Sequence, residues 1–76
     1  MRITVRYAIL IEKTNNGYSA YAPDLPGCVA AADIQAEAET LSREAIVLHL
    51  ESLCEHGEPI PEPQTTATLV EVQLAG

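Results

Sequence analysis

Seventy-six residues are enough for one small domain, taken here as 1–76, and eleven Asp and Glu against four Lys and Arg leave a net charge of −7. That balance argues against direct nucleic-acid binding, which needs clustered cations; it would steer a basic protein to this surface, but taken alone it reads first as charge that keeps a small protein in solution. Apolar residues form 47% of the chain, with no Trp or Phe, and no run approaches the length that spans a membrane.

From Ile3 to Ile11 the odd positions are Ile, Val, Tyr, Ile and Ile, with Thr, Arg, Ala and Leu between them. This period-two alternation predicts a first strand with one buried face. Asn16-Gly17 predicts a tight hairpin using positive φ, and Tyr18–Ala22 returns antiparallel. Pro23 ends that strand. Asp24-Leu25-Pro26-Gly27 then forms a structural turn: Pro26 presets its own φ, Gly27 supplies a positive φ, and Asp24 bonds its own backbone two residues on. Cys28–Ala31 follow as a short third strand.

Asp33 is placed to cap the next element. From Ala36 to about Glu55, Ala38, Leu41, Ala45 and Leu48 recur at three- and four-residue spacing, and Ile46, Leu50 and Leu53 widen the stripe. This is an amphipathic helix with its acids, among them Glu37, Glu44 and Glu51, mostly on the other side. Gly57 stops it as a C′ residue. Glu58-Pro59-Ile60-Pro61-Glu62-Pro63 reads as a stiff extended connector, and Thr66–Leu74 alternates again as a last strand. The order is β-β-β-α-β, an α+β fold with one helix across a four-stranded sheet. A lone helix covers one sheet face, and a chain this short buries only about 60% of its unfolded surface. Both points favour a homo-oligomer, a dimer or tetramer.

Little in the sequence supports chemistry of its own. His49, Cys54 and His56 lack a recognised zinc spacing, and a helical i, i+2 pair diverges. Cys28 and Cys54 suit packing better than nucleophilic catalysis, and with no signal-peptide core they do not form a secreted disulfide framework. The acids are scattered over a helix face and loops, whereas a two-metal nuclease needs them to converge. No catalytic residue, metal or cofactor is expected, and the expected location is the cytoplasm.

Taken together, Tyr18-x-Ala20, Pro23-Asp24-Leu25-Pro26-Gly27-Cys28, Ala32-Asp33, Glu37-Ala38, Glu44-Ala45-Ile46-x-Leu48-His49-Leu50-Glu51 and Gly57-x-Pro59-Ile60-Pro61-x-Pro63 resemble the HicB-like antitoxin family, the acidic half of Hic-type toxin–antitoxin pairs. The resemblance implies a partial ribonuclease H-like fold without catalytic carboxylates. It also implies a partner, a small basic HicA-like toxin that cleaves mRNA and is masked by the antitoxin. Family members commonly add a C-terminal DNA-binding segment; none is expected here, since Gly76 follows the last strand. Charge and exposure nominate Asp24, Glu37, Glu44 and Glu51 as partner-binding residues. The alternatives are a stand-alone oligomeric binding or scaffold domain with no toxin, and a relic ribonuclease H-type hydrolase.

Overall fold

The computed structural model describes residues 4–76. Three antiparallel strands form one sheet in the order β1-β2-β3, with β1 at Leu10–Thr14, β2 at Gly17–Tyr21 and β3 at Val29–Ala32, followed by α1 at Gln35–Glu55. The fold is α+β as expected, but with three strands rather than four. Thr66–Leu74 joins no ladder among the described residues. Its alternation is that of a strand, yet no neighbouring strand takes up its backbone groups, and Leu69 is 100% and Leu74 90% exposed.

The first strand also differs from expectation. Its ladder begins at Leu10 and runs to Thr14, and residues 4–9 lead into it without pairing; Ile3 lies outside the described residues. The hairpin loop is Asn15-Asn16, because Thr14 pairs with Gly17. Neither Asn16 nor Gly17 has a positive φ, so the expected Asn-Gly turn does not form. Gly17 is required for another reason: a β-carbon there would collide with the carbonyl oxygen of Ala32, the residue at the end of β3 that pairs with neighbouring Tyr18.

The Pro26-Gly27 turn forms as read. The Cys28 amide donates to the Leu25 carbonyl at 3.1 Å, and Gly27 takes φ +89°, the geometry of a type II turn with Pro at the second corner and Gly at the third. The turn presents Leu25, only 1% exposed, to the core. There Leu25 clusters with Ala22, Cys28 and Ile46, and Tyr7, Ile9 and Leu50 pack around them. Ala20 and Ala38 complete a core of mostly small side chains, so α1 lies close on β2 and β3.

The helix starts without a side-chain cap. Ile34, not Asp33, is the N-cap residue, in extended conformation, and Asp33 sits one position too early. Polar capping side chains typically contribute about 1 kcal/mol, so this end relies on packing and on Glu37 in the positive first turn. The other end closes as expected. Gly57 has φ +69°, its amide donates to Cys54, and the Glu58 amide donates to Leu53 at 2.9 Å, the double bond of a Schellman motif. No basic residue occupies the last turn; His56 Nδ1–H donates at 2.7 Å to the Ser52 carbonyl, which also accepts the His56 amide at 3.1 Å.

The buried helix face is Ala38, Ser42 and Ile46. The Ser42 hydroxyl is buried with no hydrogen-bond partner. An orphaned buried hydroxyl costs about 1–3 kcal/mol, and Ala is the better helix former. Ser42→Ala therefore leaves stability unchanged or raises it by about 1 kcal/mol in urea unfolding. Gly17→Ala acts in the opposite direction, because the new methyl must displace the Ala32 backbone; overpacking of this kind costs about 1–3 kcal/mol, read as a lower urea midpoint at unchanged slope.

Candidate functional site: an acid-flanked ridge on the helix and a clamped tail

The exposed side of α1 carries the most distinctive surface. Leu41 and Leu48, expected in the core, are 38% and 67% exposed, and Ile34 at the helix entrance is exposed as well. The buried stripe is rotated relative to the expected one because the small Ser42 faces the sheet where Leu41 was expected. Ile34, Leu41 and Leu48 are spaced by seven residues, as are Glu37, Glu44 and Glu51 three positions further on. At 3.6 residues per turn each set forms a row, and the two rows run side by side for about 20 Å. The three nominated glutamates thus share one exposed face, bordered by apolar side chains that sequence reasoning had placed inside. The helix's one internal ion pair, Arg43–Glu39 at 3.7 Å, uses other residues and leaves this acidic row uncompensated on the helix. The periodicity that signalled a helix could not separate the two apolar rows, because Leu41 and Ile46 both fit a helical stripe.

Asp24 has a different setting. Its Oδ2 accepts the amides of Gln64 and Thr65 at 2.9 and 3.0 Å, and its Oδ1 accepts the Thr65 hydroxyl at 2.8 Å. The expected bond from Asp24 to its own loop is not made; the carboxylate grips the tail forty residues on. Beside it the Tyr7 hydroxyl donates to the Pro61 carbonyl. Two side chains thus fix the connector across the body of the domain. Nothing in the local sequence around Asp24 points to this long-range pairing.

The Thr65 amide, then the Gln64 amide and the Thr65 hydroxyl, hold the Asp24 carboxyl below the usual carboxylate range. Burial and the neighbouring Asp24 charge push the Tyr7 phenol up, so it remains a donor near neutrality. Burial likewise raises the Cys28 thiol, whereas Cys54 is exposed. Among the described residues, no three His, Cys, Asp or Glu side chains are grouped to hold a metal ion, and no helix is long and apolar enough to cross a membrane.

The clamp has a pH signature. A carboxyl depressed in the folded state contributes stability above its unfolded pKa, about 3.9, and loses it as pH falls through the lower folded value. The Gln64 and Thr65 amide resonances are therefore expected to shift together only below that ordinary range. Asp24→Ala removes the transition and speeds amide hydrogen exchange at Gln64 and Thr65 while the helix signal stays intact.

The matched family is described as HicB_like antitoxin of bacterial toxin-antitoxin system, and the match covers residues 7–73. A protein of Haemophilus phage HP1, described as an uncharacterized 14.9 kDa protein of the rep-hol intergenic region, is 45% identical over 56 residues. That match takes in 74% of this chain and 42% of the phage protein. UPF0150 proteins of Synechocystis and Thermoplasma acidophilum are 40% and 38% identical, over 72% and 84% of their own lengths and 74% and 75% of this chain. Among solved structures, a HicA3 and HicB3 toxin–antitoxin complex aligns with TM-score 0.64 at 37% identity, over 79% of this chain and 70% of the other. An antitoxin HicB3 crystal structure aligns with TM-score 0.66 at 37% identity, over 79% of this chain and 44% of that one. The chain therefore spans less than half of the phage protein and of the HicB3 antitoxin chain. The protein belongs to the HicB-like antitoxin family of bacterial toxin–antitoxin systems.

Proposed function

We propose that this protein is a non-catalytic antitoxin that binds a small basic mRNA-cleaving toxin and masks its catalytic surface. The observation that carries the reading is the pair of heptad-spaced rows on α1, with Ile34, Leu41 and Leu48 exposed beside Glu37, Glu44 and Glu51. Apolar anchors supply contact energy once water is excluded, and charges at their margin steer an oppositely charged partner. A net charge of −7 complements a basic toxin. Family membership and the likeness to one chain of a toxin–antitoxin complex support the same role. Asp24 enters this surface with its carboxylate already engaged by the tail, so it contributes by ordering Gln64 and Thr65 rather than as a free acid.

The test is calorimetric titration against the basic toxin that copurifies with the tagged protein from its host, at low and high salt. Leu48→Asp is expected to weaken binding at least tenfold, about 1.4 kcal/mol. Glu44→Arg with Glu51→Arg lowers affinity at low salt and flattens the salt dependence, because screening acts on those charges. Unchanged affinity and salt slope in both variants would remove the helix face from the interface. A magnesium- or manganese-dependent nuclease assay on the chain freed of toxin checks the non-catalytic part; metal-dependent cleavage by the toxin-free chain would contradict it.

A further inference from the structure

The hairpin loop carries a motif that neither the fold nor the proposed interface uses. Asn16-Gly17 closes the β1–β2 ladder, and Thr14, Asn15 and Asn16 are all exposed. The usual reason for Asn-Gly in a tight hairpin is positive φ, and no residue of this loop has it. Gly17 is nevertheless fixed as glycine by the Ala32 carbonyl beside it. Asn16 is under no such constraint.

What the pair does share is reactivity, Asn being one of the thermolabile residues. The Gly17 nitrogen and the carbonyl carbon, Cα, Cβ and Cγ of Asn16 are the atoms of a succinimide ring. With no side chain on Gly17 that nitrogen is unshielded, and the packing against Ala32 forbids the substitution that would shield it. The Thr14 hydroxyl donates to Asn16 Oδ1 at 3.5 Å, a long contact that draws charge toward that oxygen and leaves Cγ more electrophilic. The attacking nitrogen belongs to the closing pair of the ladder, Thr14 with Gly17. Short loops match the strand twist through positive φ. Lacking it, this end of the sheet opens most readily, and its opening uncovers none of the buried core residues.

We propose that Asn16 is a site of spontaneous deamidation in the folded protein, with water as the co-reactant, and that the product marks the age of the chain. The Gly17 nitrogen gives its proton to a base in solvent and attacks Asn16 Cγ. A bond forms between them, the Cγ–NH2 bond breaks, and the amide nitrogen takes a proton from solvent and leaves as ammonia. Water then adds to either carbonyl of the succinimide and breaks the C–N bond there. Attack at Cγ gives aspartate; attack at the main-chain carbonyl gives isoaspartate. No electrons are gained or lost, and the net change is amide plus water to acid plus ammonia. Either product puts a negative charge in the hollow that Asn16 and Asp33 both line. Isoaspartate also lengthens the main chain by a carbon, beside a glycine with no room toward Ala32 and Asp33. The inference stands apart from the toxin reading, because it concerns the chain alone.

The test holds the full-length protein folded at mildly alkaline pH in heavy-oxygen water and follows it by peptide mapping with sequencing mass spectrometry. The expected result is the amide-to-acid mass change, with label taken up, at Asn16. Its rate is expected to exceed that at Asn15, whose next residue carries a side chain, by at least about tenfold. Part of the product is expected to accept methyl groups from a protein isoaspartate methyltransferase, which ignores ordinary aspartate. Thr14→Val slows the conversion several-fold, Thr14→Ser keeps it, and Asn16→Gln abolishes it, with helical circular dichroism retained in all three. The isoaspartyl form is expected to show a lower urea midpoint than Asn16→Asp, which bears the charge without the added carbon. Conversion no faster at Asn16 than at Asn15, or conversion seen only after urea unfolding, overturns the proposal. Undiminished conversion in Thr14→Val overturns the part given to that hydroxyl, and equal midpoints overturn the crowding against Ala32.

Discussion

Burial of Leu25 is the contact on which the rest of the domain depends. A chain without Phe or Trp has few ways to fill the space between a helix and a sheet. Here Ala20, Ala22, Ala38 and Ser42 let the helix come close, and a single leucine from the Pro26-Gly27 turn fills what remains against Ile46. Full burial of such a side chain contributes about 1.5–3 kcal/mol, a large share of the net stability of a domain this small. The positive φ at Gly27 aims Leu25 inward; a straighter chain there would turn it to solvent. The same corner places Asp24 next to the tail, so packing and tail attachment share one turn.

With its inner face built from small residues, α1 leaves larger ones outside. Leu41 and Leu48 occupy surface where a soluble helix usually carries polar residues, and they do so in register with three glutamates. A scattered exposed leucine needs no explanation. A row of apolar side chains alongside a row of like charges is a more specific arrangement, and the proposed toxin contact rests on it. Both surfaces of the helix thus follow from one choice, alanine and serine toward the sheet.

Local rules were legible in the sequence wherever one or two residues decide the geometry. Pro26-Gly27 and Gly57 do what their backbones require, a hairpin joins the two expected strands although not through the Asn16-Gly17 turn, and the helix bounds differ from the periodic pattern by a single residue. What was not legible depends on distant partners. Gly17 is glycine because of Ala32, which only the packed sheet reveals. Asp24 and Asp33 are both plausible local caps, yet one serves Gln64 and Thr65 and the other stands before an uncapped Ile34. The helix face was rotated because hydrophobicity ranks Leu41 above Ser42, while the close approach to β2 and β3 selects for size. Thr66–Leu74 reads as a strand by alternation, but a strand also needs a neighbour, which a single sequence does not specify.

The prolines at 59, 61 and 63 carry a mechanical consequence. Proline has no amide hydrogen and a fixed φ, so this stretch cannot melt into the helix behind it or coil freely. At about 3.1 Å per residue in a polyproline-type path, Glu58 to Pro63 spans roughly 19 Å, and it is bolted at its far end by Tyr7 and Asp24. It behaves as a strut rather than a leash. Whatever follows Thr65 therefore starts from a fixed point on the body of the domain, beside the Pro26-Gly27 turn, and not from the end of the helix.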